Sequence, residues 1–128
     1  MTLRSLGGSG PRPGPAILRG VDPTGAWREL ALVRDTLVLV VKPGCDSCRP
    51  FLAAAPTYAH GDVIVVTSHD GPWAEARNVW RAREWLRAWR ADAAPCYLVI
   101  DPRGPLIRAE GALFSWDQVV AEAGPPPA

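Results

Sequence analysis

Two cysteines with two residues between them, Cys45-Asp46-Ser47-Cys48, are the side chains of this sequence best suited to chemistry. The spacing lets one sulfur reach the other, so a disulfide can form and break in place. The pair follows an apolar run, Leu37-Val38-Leu39-Val40-Val41, across a Lys42-Pro43-Gly44 turn, and precedes Arg49-Pro50-Phe51-Leu52-Ala53-Ala54-Ala55. That order predicts a strand delivering the pair to a helix N-terminus, where unpaired N–H groups and the helix dipole favour thiolate over thiol. Cys45, at the exposed edge of such a helix end, is the expected nucleophile, and Cys48, one turn in, the resolving thiol. Cys45 would attack a substrate disulfide and Cys48 would release the mixed disulfide. Asp46 opposes the dipole, which predicts a raised Cys45 pKa and a reducing couple; Arg49 and Lys42 push the other way.

Elements that could position this pair are visible on both sides of it. At 128 residues, 48% of them apolar, the chain has the size of one domain with its own core. Residues 24–34 predict a short helix capped by Thr24, with Trp27, Leu30 and Ala31 on one face. The run 36–41 is continuously apolar, which predicts a strand covered on both faces. A helix is expected over 46–58, tolerating Pro50 in its first turn and stopping or kinking at Pro56. Val63-Ile64-Val65-Val66-Thr67 reads as a second buried strand, and 73–91 as a long helix with Val79, Ala82, Trp85, Leu86 and Trp89 on its inner face. After Ala94-Pro95, Cys96-Tyr97-Leu98-Val99-Ile100 is a third strand. Asp101-Pro102-Arg103-Gly104 turns into a fourth over 106–109, and a last helix runs from a Ser115 cap to Gly124. The order β-α-β-α-β-β-α, behind an extra helix, implies a parallel first pair and an antiparallel final hairpin in an α/β fold.

Composition narrows the classes of function. A net charge of +1 demands neither nucleic acid nor an anionic membrane. Trp73, Trp80, Trp85 and Trp89 alternate with arginines, yet the helical wheel puts Trp85 and Trp89 in the core and leaves Trp80 as a candidate partner surface. Three cysteines leave Cys96 without an intrachain partner once Cys45 and Cys48 pair, which suits redox or metal chemistry in a reducing compartment. Cys96 reads as a small strand-start residue or as a third thiolate near the pair, modulating it or completing a metal or iron–sulfur site. His60 and His69 lack ligand spacing to any cysteine, so no metal or other cofactor is expected. Residues 1–23 read as a disordered Gly/Pro-rich leader without a signal-peptide core, 24–123 as the domain, and 124–128 as a Pro-rich tail. With no membrane-spanning stretch, a cytoplasmic monomer is the default.

On the CxxC after the first core strand, Ala94-Pro95 before the third, and Gly111-Ala112-Leu113 before the last helix, the chain resembles the thioredoxin-like superfamily over roughly residues 24–123. The resemblance implies a central mixed four-stranded sheet flanked by helices and thiol–disulfide exchange with protein substrates. It also implies an unidentified reductase that recycles the site. It implies that Pro95 is cis and packs against the CxxC, with Gly44, Ala94 and Pro95 shaping a substrate groove. The Asp101-Pro102-Arg103-Gly104 turn looks like that of extracytoplasmic thioredoxin-like proteins. The 66–71 and 108–111 segments are similar to those of methylamine-utilisation maturation proteins. Two departures bear on chemistry. Gly44 stands where thioredoxins have Trp, and Leu39 where they keep a buried Asp for proton relay, so proton transfer at Cys48 would need water or another group. A thioredoxin-fold module that binds a partner with little catalysis is the alternative.

Overall fold

Four apolar runs become the centre of an eight-stranded sheet in the computed structural model, which describes residues 11–126. The strands are β1 (Arg12–Pro13), β2 (Ile17–Val21), β3 (Trp27–Ala31), β4 (Thr36–Val41), β5 (Asp62–Thr67), β6 (Trp80–Arg81), β7 (Cys96–Asp101) and β8 (Leu106–Ala112). Two α-helices, α1 (Arg83–Ala88) and α2 (Trp116–Ala123), lie among the described residues. The sheet order is β1-β8-β7-β4-β5-β6-β2-β3. β4 and β5 are parallel, whereas β4–β7 and β7–β8 are antiparallel.

β4 is buried along its whole length, and its alternation explains why both faces need cover. Leu37, Leu39 and Val41 join Cys48, Phe51, Val65, Tyr97 and Val99 in one core. Val38 and Val40 join Val66, Leu98, Ile100, Trp85 and Leu86 in another. α2 caps the first face. The Ser115 hydroxyl accepts from the Gln118 N–H while the Gln118 side chain accepts from the Ser115 N–H, so two otherwise orphaned donors are satisfied.

Several expected elements differ. The central sheet has eight strands rather than four, because segments read as leader and helix add strands at its edges. Residues 24–34 are the turn and second strand of a hairpin. Asp22 accepts from the N–H groups of Thr24 and Ala26, Gly25 takes φ +92°, and Ile17–Val21 pairs with Trp27–Ala31. Residues 11–23 therefore contribute β1 and β2 to the domain; residues 1–10 and 127–128 of the expected leader and tail lie outside the described residues.

The helix expected over 46–58 shrinks to a 3₁₀ turn, Arg49–Phe51. Pro56 has no N–H to give the Leu52 carbonyl, and that carbonyl accepts instead from the Asn78 N–H at 2.9 Å. The expected 73–91 helix survives only as α1. Upstream of it Trp80 and Arg81 pair with β5 and, through Arg81, with β2. Val79, Ala82, Trp85 and Leu86 are nonetheless buried. Trp80 is only 8% exposed, with the Arg28 guanidinium 5.9 Å from its ring centroid, so the expected Trp80 partner surface does not exist.

Candidate active site

β4 ends at Val41, and Gly44 takes φ +72°, a left-handed backbone that favours glycine over the tryptophan of the family motif. The turn puts Cys45 at the surface of the first core and Cys48 inside it: Cys48 is fully buried and Cys45 partly exposed. Their Cα atoms are 5.3 Å apart and the sulfurs are joined as a disulfide. No α-helix follows. The N–H groups of Cys48 and Arg49 are bonded within the turn, to the carbonyls of Cys45 and Asp46. The helix that the sequence predicts, whose dipole would favour a thiolate, is thus replaced by a turn, and the turn's own groups surround the pair.

Ser47 is the chief of those groups. Its hydroxyl donates to the Leu113 carbonyl at 3.0 Å and lies 3.4 Å from Cys45 Sγ. The Leu113 N–H in turn donates to the Pro95 carbonyl at 3.2 Å. One chain of bonds therefore fastens the CxxC loop to the β8–α2 corner and that corner to the loop before β7. The peptide bonds Ala94–Pro95 and Gly104–Pro105 are cis. Asp46 and Arg49 pair at 3.1 Å with side chains 93% and 74% exposed, so Asp46 is a solvated partner of Arg49 more than a bare charge beside Cys45.

A cleft of about 130 Å³ opens beside Cys45, lined by Lys42, Gly44, Arg49, Leu52, Trp73 and Glu75. Of the expected groove residues, Gly44 lies here. Ala94 packs against the core on the other face, and Pro95 lines a separate cleft with Cys96. Trp73 was not singled out for this place by the sequence.

Cys96 does not join the pair. Alternation along β7 sends Tyr97 and Val99 into the core that holds Cys48, and Cys96 packs against the opposite one. Its thiol donates to the Ala91 carbonyl at 3.7 Å, and burial, with Glu110 and Asp92 adding, pushes it up to about 12. A third thiolate at the CxxC, whether as modulator or as metal ligand, is ruled out by this geometry. Leu39 is fully buried in the core that holds Cys48 and offers no proton.

No protein-family model matches the chain. No curated protein matches its sequence. Solved structures match its fold. The thioredoxin domain of a thiol-disulfide oxidoreductase from Bacteroides vulgatus superposes with a TM-score of 0.55 at 16% identity, over 82% of this chain and 89% of that one. A thiol:disulfide interchange protein from a Bacteroides species gives 0.52 at 17% identity, covering 82% of each chain. A conserved Bacteroides fragilis protein of unknown function gives 0.54 at 16% identity, over 91% of this chain and all of that one. The fold is thioredoxin-like, and it carries a CxxC-spaced cysteine pair at the end of its central strand.

Proposed function

We propose that the chain is a thiol–disulfide oxidoreductase that exchanges disulfides with protein substrates through Cys45 and Cys48, and is returned to its working state by a separate reductase. The observation that carries this reading is the asymmetry of the pair: Cys45 borders an open cleft, and Cys48 is fully buried within disulfide reach. In the reducing direction, Cys45 thiolate attacks one sulfur of a substrate disulfide. That S–S bond breaks, a mixed disulfide forms, and the departing thiolate takes a proton from water. Cys48 then loses its proton and attacks Cys45 Sγ, which releases the second substrate thiol and leaves the Cys45–Cys48 disulfide.

Leu39 supports the second reading, a partner-binding module with little turnover, because no acid at that position takes the Cys48 proton. A turnover assay with a generic disulfide substrate separates the two. Wild type exceeding Cys45→Ser supports the enzyme; equal rates remove it for that substrate class. Mixed disulfides trapped on Cys48→Ser identify the partners.

A further inference from the structure

Next to the Cys45 cleft lies a larger one of about 280 Å³, and Trp73 lines both. Its other walls come from two turns far apart in sequence: the β2–β3 turn at Thr24 and Gly25, and the loop holding His69 and Gly71, with Arg81 of β6 between them. The His69 ring stands edge-on to Trp73, centroids 5.8 Å apart, and its side chain makes no hydrogen bond with another described residue.

The charges of this cleft are unbalanced. Asp22, its one acidic wall, is 5% exposed and already accepts from the Thr24 N–H and hydroxyl and the Ala26 N–H, with Arg28 at 3.5 Å. Those donors, the Thr24 hydroxyl first, hold its carboxyl below the usual range. Nearby Asp70 is taken up by Arg83 at 3.0 Å. Arg81 is exposed, and its guanidinium has no ion-pair or hydrogen-bond partner among the described residues. At the Cys45 end, Lys42 and Glu75 face the smaller cleft together, and Arg49 is paired with Asp46. The free charge in the larger cleft is therefore a guanidinium, a group whose planar fork matches a carboxylate.

We propose that this cleft is a substrate subsite that takes an acidic side chain of a peptide disulfide, with Arg81 as its charge partner and Trp73 as the wall leading to Cys45. The inference rests on thiol exchange at Cys45 and adds the substrate class. Attack of the Cys45 thiolate on the peptide disulfide gives a protein–peptide mixed disulfide and one peptide thiolate, which takes a proton from water.

The test uses the reduced full chain carrying Cys48→Ser, which stops at that mixed disulfide. Two cystine peptides are compared, one with glutamates flanking the cysteine and one with glutamines. The glutamate peptide reacts faster, and Arg81→Ala lowers the glutamate-to-glutamine rate ratio about fivefold, with Arg81→Lys falling between the two because a point charge replaces the fork. A ratio unchanged by Arg81→Ala overturns the subsite. An S-methylated glutamate peptide, which cannot exchange, separates binding from chemistry. Saturable chemical-shift changes at the Trp73 indole and His69 support the subsite even where no exchange occurs, which would sink only the oxidoreductase reading. Shifts that are absent, or equal for the glutamine version, overturn the subsite even where Cys45 reacts.

Discussion

The two ends of β4 are built on opposite principles. At its N-terminal end, the buried Asp35 carboxylate meets Arg108 at 2.6 Å and Tyr58 at 3.1 Å, and Arg108 also donates to the carbonyls of Ala123 and Gly124 at the close of α2. Asp35, Arg108 and Tyr58 there meet one another largely out of water. At the C-terminal end the chain exposes a left-handed glycine, a disulfide, a solvated Asp46–Arg49 pair and an open cleft. One strand thus carries a closed polar knot that fixes the fold and, about 20 Å away by strand geometry, a loop whose groups remain available. Buried polar pairing is concentrated away from the cysteine pair.

The largest effect should come from opening the closed end. Asp35→Ala leaves the Arg108 guanidinium, 11% exposed, without its carboxylate, and costs about 3–5 kcal/mol of unfolding free energy in urea titrations. The remaining folded fraction keeps the Cys45 alkylation rate of the parent reduced protein. A loss under about 1 kcal/mol would show that the knot behaves like a surface pair, and the contrast would fail.

Next in size is Gly61→Ala at the same end. A Cβ there would lie 1.7 Å from the Asp35 carbonyl oxygen, which accepts from the Asp62 N–H. Backbone must move, so a loss of about 1–3 kcal/mol or more is expected. The matching change at the open end, Gly44→Ala, meets nothing within 4 Å and costs only the strain of its positive φ, about 1 kcal/mol.

Alkaline pH sharpens the same contrast. Burial first, then Asp35, pushes the Tyr58 hydroxyl up to about 12 from its ordinary 10.0. The neutral form is favoured by folding, so its stabilisation is complete below pH 10 and fades as pH rises toward 12. Cys96, raised from 9.0 to about 12, loses its share over an overlapping window. Urea midpoints measured across that range should fall less steeply for Tyr58→Phe and for Cys96→Ala than for wild type. Equal slopes in all three would contradict the burial of both groups.

The four central strands, the CxxC and the last helix were legible because each rests on a local signal that survives folding: β-branched runs, a glycine before the cysteines, a serine cap three residues before Gln118. The helices were overread for a nameable reason. Apolar spacing in 24–34 and 73–91 suits a helix, but β2 and β5 claim those residues as edge partners, and tertiary pairing overrides a short periodic pattern. One missed sign was in plain view. Asp22-Pro23-Thr24-Gly25 repeats the pattern of Asp101-Pro102-Arg103-Gly104, and in both the aspartate accepts from the N–H two residues on, at 2.9 and 3.0 Å. The second was read as a hairpin turn and the first as a helix cap. Of the two readings of Cys96, the strand start stands, and the third thiolate fails because nearness in sequence to Pro95 says nothing about the face of a strand. Trp73 shares the Cys45 cleft only through tertiary folding, which no local pattern encodes.

At the open end, single groups shift chemistry more than stability. The Ser47 hydroxyl has one proton and two acceptors. In the disulfide form it goes to the Leu113 carbonyl, since the bonded sulfur is a poor acceptor. A Cys45 thiolate in the reduced protein is the stronger acceptor, since a hydrogen bond to an ion is roughly twice as strong as a neutral one. The hydroxyl is then expected to turn to the thiolate. Ser47→Ala should slow Cys45 alkylation at neutral pH and make the couple more reducing, with stability changed by about 1 kcal/mol. The rate of Cys45 alkylation across pH reads this directly, and an unchanged or faster rate would mean that the hydroxyl stays with Leu113.

The smallest effect belongs to Asp46. Were its carboxylate a bare charge beside the nucleophile, Asp46→Asn would shift the potential substantially toward oxidation. With Arg49 at 3.1 Å and both side chains in water, the two charges largely cancel at Cys45. Asp46→Asn should raise the reduction potential and Arg49→Gln lower it, each by no more than about 20 mV, with the double variant near wild type. Equilibration against a glutathione buffer measures all four proteins. A wild-type potential near that of strong oxidants, about −120 mV, would mean that the loop stabilises thiolate far beyond what Ser47 and this solvated pair supply.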